Sequence, residues 1–523
     1  MEKNCLIMRF PIGVQSFSTI RENGFVYVDK TDLVYELAKE HVCFLCRPRR
    51  FGKSLLISTL EAYFKGRKEL FDGLRIMELE KEWKEYPVFR IDFAMGNYFD
   101  PNCLTDILRS SVARWEREYG VAPEGEDLGL RFKNMLHQVR VKTGRKAVVL
   151  IDEYDKPLLD VIGEELEDKH RNILKGFYGT FKAADDDLRF VLLTGVTKFS
   201  QISVFSGFNQ PNDISMSPQY EAICGITEEE LHRVFAEPIR KFAVENSMDE
   251  QGAKDYLKYQ YDGYHFSRKM TDVYNPFSII NVFSSMCPQD YWYRSGTPTL
   301  LVKLISGHNI NMEKLLKKTY SASKFIDYRA DVSDPLSMLY QSGYLTIKGY
   351  NQATNSFLLD YPNAEVRNGF VDMVANDYYC KDAGLSSWII DITQCLLDGD
   401  VESLMEAFTA FFGDIDYRAE QKLKAASYEE HFHYTFYLIM KMLFCYRPLV
   451  EQCNSRGRCD MVVEAPKYVY IFEFKLNGTA EEALAQIEAK GYAGPYLNDG
   501  REIVKLGVAF SQELQNIQEW VRR

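Results

Sequence analysis

Three short apolar runs in the first half of the chain each end in polar residues. They are Val42–Cys46, the run that contains Val148 and Val149, and the run that starts at Arg189. Continuous apolar runs of this length are typical of buried parallel strands. Segments with helical spacing lie between them, as in sheets whose parallel strands are joined by helices. The pattern predicts an α/β fold.

The pattern of predicted elements along the chain changes near residue 225. Thr227 is followed three positions later by Glu230, a spacing typical of a capping box that opens a helix. The following segment, which we call the middle region, is helix-rich. Residues 339–347, followed by Lys348, Gly349 and the run at 356–363, indicate a helix end and a hairpin. The predicted domains are, in chain order, an α/β domain at 1–225, the middle region at 226–370, a helical connector at 371–425 and a separate domain at 426–523.

Composition and charge narrow the class of protein. A chain of 523 residues, 46% of them hydrophobic, is a folded chain of several domains. The net charge of −12 disfavours a protein that coats nucleic acid by bulk positive charge. It is compatible with a small basic groove. No run approaches the ~20 apolar residues of a membrane helix. With eleven scattered cysteines and no signal-peptide pattern, we expect a cytoplasmic protein with reduced thiols and no membrane contact.

Residues 47–54, RPRRFGKS, lie between a predicted strand and a predicted helix. Backbone N–H groups and the start of a helix can bind phosphate at such a place. In the pattern G-x-x-x-x-G-K-[ST], which ends here in Gly52, Lys53 would reach the β and γ phosphates of ATP and the Ser54 hydroxyl would hold Mg²⁺. Arg47 replaces the leading glycine, so the alternative is a basic strand-to-helix turn without a ligand.

The second apolar run leads directly into Asp152 and Glu153. At this position a first carboxylate can bind Mg²⁺ through water, and a second can polarise the water that attacks ATP. The third run leads towards Lys198, where a basic side chain can sense the γ-phosphate. The alternative is a solvated acidic loop. The occurrence of Asp152 and Glu153 together with the RPRRFGKS segment favours a nucleotide site.

Three arginines accompany the lysine of this segment. Arg47, Arg49 and Arg50 are local cations that can complete an ATP site from within the chain. The alternative is an arginine supplied by a neighbouring molecule, which would require an oligomer.

These motifs resemble the bacterial AAA-ATPase-like family found fused to a PD-(D/E)XK nuclease-like domain. RPRRFGKS is the usual form in that family. The resemblance implies ATP binding at Lys53 and Ser54. The expected fold is therefore a P-loop NTPase-type parallel sheet, a helical, winged-helix-like middle region and a C-terminal restriction-endonuclease-like α/β domain. The motifs that carry the resemblance are 11–13, 27–31, 47–54, 151–155, 194–196, 205–207, 261–264, 275–276 and 343–346.

Residues 457–475 predict two strands around a turn at Pro466 and Lys467. This turn places Asp460 opposite Glu473, and Lys475 follows on the same face because side chains alternate along a strand. Facing carboxylates are costly unless a cation neutralises them. Oxygen ligands favour Mg²⁺ or Mn²⁺, so the pattern predicts a divalent metal site.

A metal at this place can activate water for attack on a phosphodiester, and Lys475 can orient the nucleophile or screen developing charge. Asp460 and the Glu473-x-Lys475 pair, with Gln486 downstream, resemble the PD-(D/E)XK nuclease superfamily. The alternative is an exposed strand with a cross-strand charge pair.

An acidic residue on the preceding helix usually completes a site of the PD-(D/E)XK kind. Glu429 and Glu430 are both candidates as metal ligands, and the sequence does not choose between them.

The leading hypothesis is an ATP-binding, ATP-hydrolysing module coupled to a Mg²⁺- or Mn²⁺-dependent nuclease-like domain that acts on or recognises nucleic acid. The first alternative is a non-catalytic ATP-binding switch or scaffold in defence or regulation, and the second is a transcription-linked regulator. The lack of a basic composition favours the switch. The residues that favour the enzyme are Lys53, Asp152, Glu153, Asp460, Glu473 and Lys475.

Overall fold

The computed structural model falls into two compact units, an N-terminal unit of residues 1–366 and a C-terminal unit of residues 367–523. The finer division into four domains stays a prediction. No helix in the described ranges is long and apolar enough to cross a bilayer. The structure describes residues 8–198, 211–292, 315–316, 318–326, 335–370, 385–414, 460–497, 500–511, 513–514 and 516–523.

The N-terminal unit is built on a five-stranded sheet. Its strands are β1 (Val42–Cys46), β2 (Val88–Asp92), β3 (Ala147–Asp152), β4 (Leu188–Gly195) and β5 (Asn212–Asp213). All are parallel, in the order β2-β3-β4-β1-β5. The three strands predicted from apolar runs are confirmed. The apolar pattern did not single out β2, because Arg90 and Asp92 interrupt it.

Helices flank this sheet and connect its strands. The longest, α8, follows the acidic end of β3, and α3 begins at Lys53 directly after β1 and its loop. Short 3₁₀ turns occupy Lys68–Phe71 and Asp185–Asp187. The helices are α1 (Phe17–Glu22), α2 (Thr31–Leu37), α3 (Lys53–Phe64), α4 (Ile76–Leu79), α5 (Cys103–Tyr119), α6 (Leu128–Thr143), α7 (Lys156–Leu159) and α8 (Leu166–Ala183).

The middle region begins as predicted, with a capping box in which Thr227 and Glu230 satisfy each other's backbone N–H groups. Lys30 from the N-terminal segment forms an ion pair of 2.5 Å with the same Glu230 and so ties the two parts together. The elements are β6 (Ile226–Thr227), α9 (Glu228–Val234), α10 (Ala236–Glu245), α11 (Glu250–Tyr261), β7 (Val273–Tyr274), α12 (Pro276–Ser285), β8 (Lys318–Ser321), α13 (Ala322–Phe325), α14 (Leu336–Gln341), β9 (Thr346–Asn351) and β10 (Ser356–Asp360).

The second half of the middle region holds a three-stranded sheet and two short helices, and its winged-helix-like character stays a prediction. Strands β8, β10 and β9 form an antiparallel sheet next to the short helices α13 and α14. The predicted helix end and hairpin are confirmed, since α14 ends at Gln341 and β9 and β10 pair across the following turn.

The C-terminal unit is a four-stranded mixed sheet with helices on both faces. Its elements are α15 (Leu385–Asp398), α16 (Val401–Asp414), β11 (Met461–Glu464), β12 (Tyr468–Leu476), α17 (Ala480–Lys490), β13 (Glu502–Ser511) and β14 (Asn516–Arg522). The strand order is β11-β12-β13-β14. Side chains of α15 and α16 share a core with one sheet face, and those of α17 pack on the other.

The predicted hairpin register is confirmed. Met461 pairs with Phe472, and Glu464 pairs with Val469, as a turn at 466–467 requires. The sequence did not predict β14, which follows β13 after a short turn and pairs with it antiparallel. The expected helix before β11 lies outside the described residues.

At Gly507, β13 approaches α17 closely, and this residue pairs in register with Glu473. A Cβ at this position would collide with the Ala480 carbonyl oxygen and lie 2.8 Å from the Leu484 nitrogen. Backbone atoms cannot yield as a flexible side chain can, so α17 would have to move.

We therefore expect Gly507→Ala to destabilise the C-terminal unit by about 3 kcal/mol, as overpacking of a tight core does. Differential scanning calorimetry of the full chain measures this effect. Gly494→Ala is the matched control, because a Cβ there meets open space. Equal transition temperatures for the two variants would contradict the prediction.

Candidate functional site

The loop that leaves β1, residues 47–52, closes around the ammonium of Lys53. We call it the phosphate loop. Lys53 Nζ donates to the carbonyl oxygens of Arg47 at 2.9 Å and Pro48 at 3.0 Å, and the residue is 6% exposed. Gly52 has φ of +92°, a conformation that strains other residues, and it leads directly into α3. The loop, its lysine and the helix start are thus arranged as a phosphate site requires.

The side chain of Arg47 points away from this loop and into the protein. It is 1% exposed, and its guanidinium donates to the carbonyl oxygens of Ser215 at 2.7 Å and Tyr220 at 3.1 Å. The guanidinium carbon lies 4.1 Å from the centre of the Phe266 ring. We therefore correct the expectation that Arg47 supplies a cation to the nucleotide, because burial commits this side chain to the fold.

The other two arginines of the phosphate loop are exposed. Arg50 adopts φ of +67°, and its guanidinium carbon lies 5.2 Å from the Phe277 ring centre. The Arg49 carbonyl oxygen accepts a hydrogen bond of 3.1 Å from Trp292 Nε1. The sequence did not single out Trp292, since no local pattern links residues 243 positions apart.

Asp152 lies at the carboxyl end of β3 and is 1% exposed. Its Oδ1 accepts hydrogen bonds from Thr194 Oγ1 at 2.7 Å and from the Glu153 backbone at 3.1 Å. Its Oδ2 is buried and has no hydrogen-bond partner among the described residues. A buried, unpaired carboxylate oxygen is costly, and a divalent cation would satisfy it. The residues present therefore fit the predicted Mg²⁺.

Glu153 follows in a left-handed conformation, with φ of +49°, and is partly buried. Burial raises the pKa of its carboxyl above the ordinary value, and the charges of Asp155 and Asp152 act in the same direction. The positive charges of Lys53 and Arg49 oppose this rise in pKa. Glu153 follows β3 at the carboxyl edge of the parallel sheet, the edge at which the phosphate loop leaves β1, as a residue that polarises water beside a phosphate must.

Asp155 and Lys198 are engaged in contacts of the sheet edge. Asp155 Oδ2 accepts hydrogen bonds from the backbone of Val196 at 3.0 Å and Thr197 at 2.6 Å, a structural role that the sequence did not distinguish. Lys198 Nζ forms an ion pair of 2.9 Å with Asp213 of β5. The role of Lys198 as a phosphate sensor stays a prediction.

A second cluster lies in the C-terminal unit, at the hairpin of β11 and β12. Asp460 Oδ2 accepts a hydrogen bond of 2.9 Å from the Phe474 backbone, and the Asp460 backbone donates to Glu473 Oε2 at 3.4 Å. The two carboxylates therefore lie side by side, as the register predicts. We call Asp460 and Glu473 the carboxylate pair.

Gln486 of α17 connects the remaining members of this cluster. Its Oε1 accepts a hydrogen bond of 2.6 Å from Lys475 Nζ, and its Nε2 donates to Glu473 Oε1. Glu429 and Glu430, the candidate third ligands, lie outside the described residues. In the described part of the chain, no three acidic, histidine or cysteine side chains come together as a metal cluster.

Glu473 is 1% exposed, and its surroundings disfavour ionisation. Burial, together with the negative charge of Asp460, raises the pKa of Glu473 to about 7. The ammonium of Lys475 and the amide of Gln486 oppose this rise in pKa only in part. A divalent cation would remove the repulsion between the two carboxylates, so the carboxylate pair fits a metal.

Two family models match the regions that hold these clusters. Residues 11–205 match a family described as predicted AAA-ATPase, and residues 427–520 match the PD-(D/E)XK nuclease superfamily. An uncharacterised protein from the vnfD 5′ region of Azotobacter chroococcum mcd 1 is 33% identical over 516 residues. That alignment covers 97% of this chain and 98% of the relative.

Two solved structures from Aeropyrum pernix are also similar to this chain. The ORC1 protein, solved in complex with DNA, has a TM-score of 0.23 and 10% identity, covering 66% of this chain and 93% of its own. The ORC2 protein, solved in ADPNP–ADP complexes, has a TM-score of 0.23 and 12% identity, covering 72% of this chain and 96% of its own.

The raised pKa of Glu473 predicts that metal affinity depends on pH. A proton competes with the metal for this carboxylate below pH 7, so Mn²⁺ affinity should rise about tenfold per pH unit from pH 5 and level off above about 7. Calorimetric titration of the full chain measures this profile. Glu488→Gln removes an exposed carboxylate of α17 and should leave it unchanged. A flat profile in the wild type would refute the role of Glu473.

Proposed function

The chain belongs to the predicted AAA-ATPase family and ends in a domain of the PD-(D/E)XK nuclease superfamily, and from this we propose that it binds and hydrolyses ATP. Two observations together support this proposal. Lys53 lies inside the phosphate loop, and Asp152 has a buried Oδ2 that lacks a hydrogen-bond partner among the described residues. A cation site next to a phosphate site suits a nucleotide bound with its metal.

Each residue of this site has a proposed role. Lys53 leaves the carbonyl oxygens of its own loop to contact the β and γ phosphates, and backbone N–H groups before α3 bind them as well. Ser54 and Asp152 hold Mg²⁺, which neutralises phosphate charge when bound. Glu153 accepts the proton of the attacking water, and its raised pKa makes it a stronger base than an ordinary glutamate.

Two variants separate binding from hydrolysis. Lys53→Ala should weaken Mg-ATP binding by about 3 kcal/mol, or roughly 100-fold, because charge-assisted hydrogen bonds are lost. Glu153→Gln should keep ATP affinity and lower kcat by about 100-fold or more. Calorimetry and phosphate release measure the two quantities.

Lys65→Ala is the control for this experiment, since it removes an exposed lysine that pairs with Glu61 just after α3. Equal ATP affinity in Lys53→Ala and the wild type would refute the site. ATP binding without turnover in the wild type would instead support the alternative of a non-catalytic switch or scaffold.

For the C-terminal unit we propose metal-dependent cleavage of a nucleic acid phosphodiester. The contacts among the carboxylate pair, Lys475 and Gln486 support this role. Asp460 and Glu473 hold Mg²⁺ or Mn²⁺, which lowers the pKa of bound water when present. Lys475, kept in place by Gln486, orients the nucleophile or stabilises charge on the phosphate.

The proposed roles are separable by substitution. Asp460→Ala and Glu473→Ala should abolish Mn²⁺ binding, whereas Lys475→Ala should retain the metal and lose cleavage, because an ammonium does not coordinate a cation. Calorimetry with Mn²⁺ and cleavage assays on single- and double-stranded DNA and RNA test this. Lys490→Ala, an exposed lysine at the end of α17, is the control. Unchanged Mn²⁺ affinity in either carboxylate variant would refute the metal site.

A further inference from the structure

During ATP hydrolysis, negative charge develops on the reacting phosphate groups. The described residues offer few cations at this place. Water oxygen bonds to the γ-phosphorus, the bond to the β,γ-bridging oxygen breaks, and ADP leaves with that electron pair. The water proton passes to Glu153 and then to the released phosphate or solvent. Lys53 contacts the phosphates in the ground state too, so a further cation that acts on the transition state would accelerate the reaction.

The structure assigns different tasks to the three arginines of the phosphate loop. The guanidinium of Arg47 is buried beneath the loop, where it binds backbone carbonyl groups. That of Arg50 lies over the ring of Phe277. Arg49 is exposed, and within the described ranges its guanidinium makes neither a hydrogen bond nor an ion pair. Arg49 is therefore the loop arginine whose charge stays available to a ligand.

The backbone places Arg49 next to the reacting groups. The preceding residue, Pro48, gives its carbonyl oxygen to Lys53 Nζ at 3.0 Å. Glu153 follows directly after β3, and only β4 lies between β3 and β1, the strand that leads into the phosphate loop. A γ-phosphate held by Lys53 would therefore lie against the loop segment that carries Arg49, at the edge of the sheet where Glu153 also lies.

The middle region fixes the backbone from which this side chain extends. Trp292 Nε1 binds the Arg49 carbonyl oxygen, and the Trp292 backbone donates to the buried carboxylate of Glu365 at 2.7 Å. Gly343, at φ of +92°, packs so closely on Pro48 that a Cβ would lie 2.7 Å from the proline Cβ. These contacts limit the movement of the loop. A catalytic side chain requires such a fixed backbone.

We propose that Arg49 is a catalytic residue that contacts the γ-phosphate of ATP bound in the same chain and stabilises the charge that develops during hydrolysis. This inference rests on the proposed ATPase function. It makes an arginine from a second molecule unnecessary, so turnover per chain is independent of protein concentration.

Arg49→Ala should lower kcat on the order of 10³-fold while the affinity for Mg-ATP changes by less than threefold. Arg49→Lys should keep part of the activity, because it restores charge without the planar donor pair. Added guanidinium chloride at millimolar concentration should restore activity to Arg49→Ala by at least tenfold. Arg67→Ala, an exposed arginine with surface ion pairs only, is the control and should match the wild type in kcat.

Three results would overturn the inference about Arg49. They are an unchanged kcat in Arg49→Ala, a loss of ATP affinity without loss of kcat, and a wild-type rate per chain that rises with protein concentration. Wild-type protein that binds ATP but never hydrolyses it would instead overturn the proposed ATPase function itself. Phosphate release across a hundredfold range of protein concentration, with calorimetric ATP affinities, distinguishes these outcomes.

Discussion

The burial of one guanidinium organises the N-terminal unit around its loop. Arg47 stands where β1 ends, and its charge is tolerated inside because carbonyl oxygens of Ser215 and Tyr220 accept its hydrogen bonds and Phe266 covers its face. A buried charge without such partners would be strongly destabilising. The segment after β5 and the middle region must therefore keep their places for the phosphate loop to keep its own.

This arrangement explains the absent leading glycine. Glycine is favoured where the backbone has positive φ or another group comes close. Arg47 is not among the residues with positive φ, whereas Gly52 is, and it is Gly52 that the sequence keeps. The first loop position is therefore free to carry a side chain, and the arginine uses it to join the sheet to residues 215–220.

Local patterns were sufficient for the parts of the structure that local chemistry decides. The apolar runs gave three strands, the Thr227 capping box gave a helix start, and the turn at 466–467 gave the register beside Glu473. Each depends on neighbours in sequence. Ser215 and Tyr220, which accept from Arg47, and Trp292, which donates to the Arg49 carbonyl, lie more than 160 residues away along the chain, so no pattern near the loop could indicate them.

The same distinction applies to the sites. Residue type and spacing predicted that Asp152 and Glu153 belong to the same site as the phosphate loop and that Asp460 lies opposite Glu473. They could not separate Arg47 from Arg49, because tertiary contacts decide which of the two guanidinium groups is buried. The ion pair of Lys198 with Asp213 is also a tertiary contact, which joins the segment after β4 to β5.

The turn between β11 and β12 has a consequence for length variation. It is closed by a hydrogen bond of 2.7 Å from the Ala465 nitrogen to the Tyr468 oxygen, which leaves only two residues between them. Inserting one residue into either strand, between the turn and Asp460 or between the turn and Glu473, would shift the pairing by one and turn Asp460 to the opposite face from Glu473. The β9–β10 hairpin already contains an irregularity between Leu358 and Leu359 and carries no part of either site. Insertions and deletions are therefore tolerable in that hairpin, but those within the strands of this one separate the carboxylate pair.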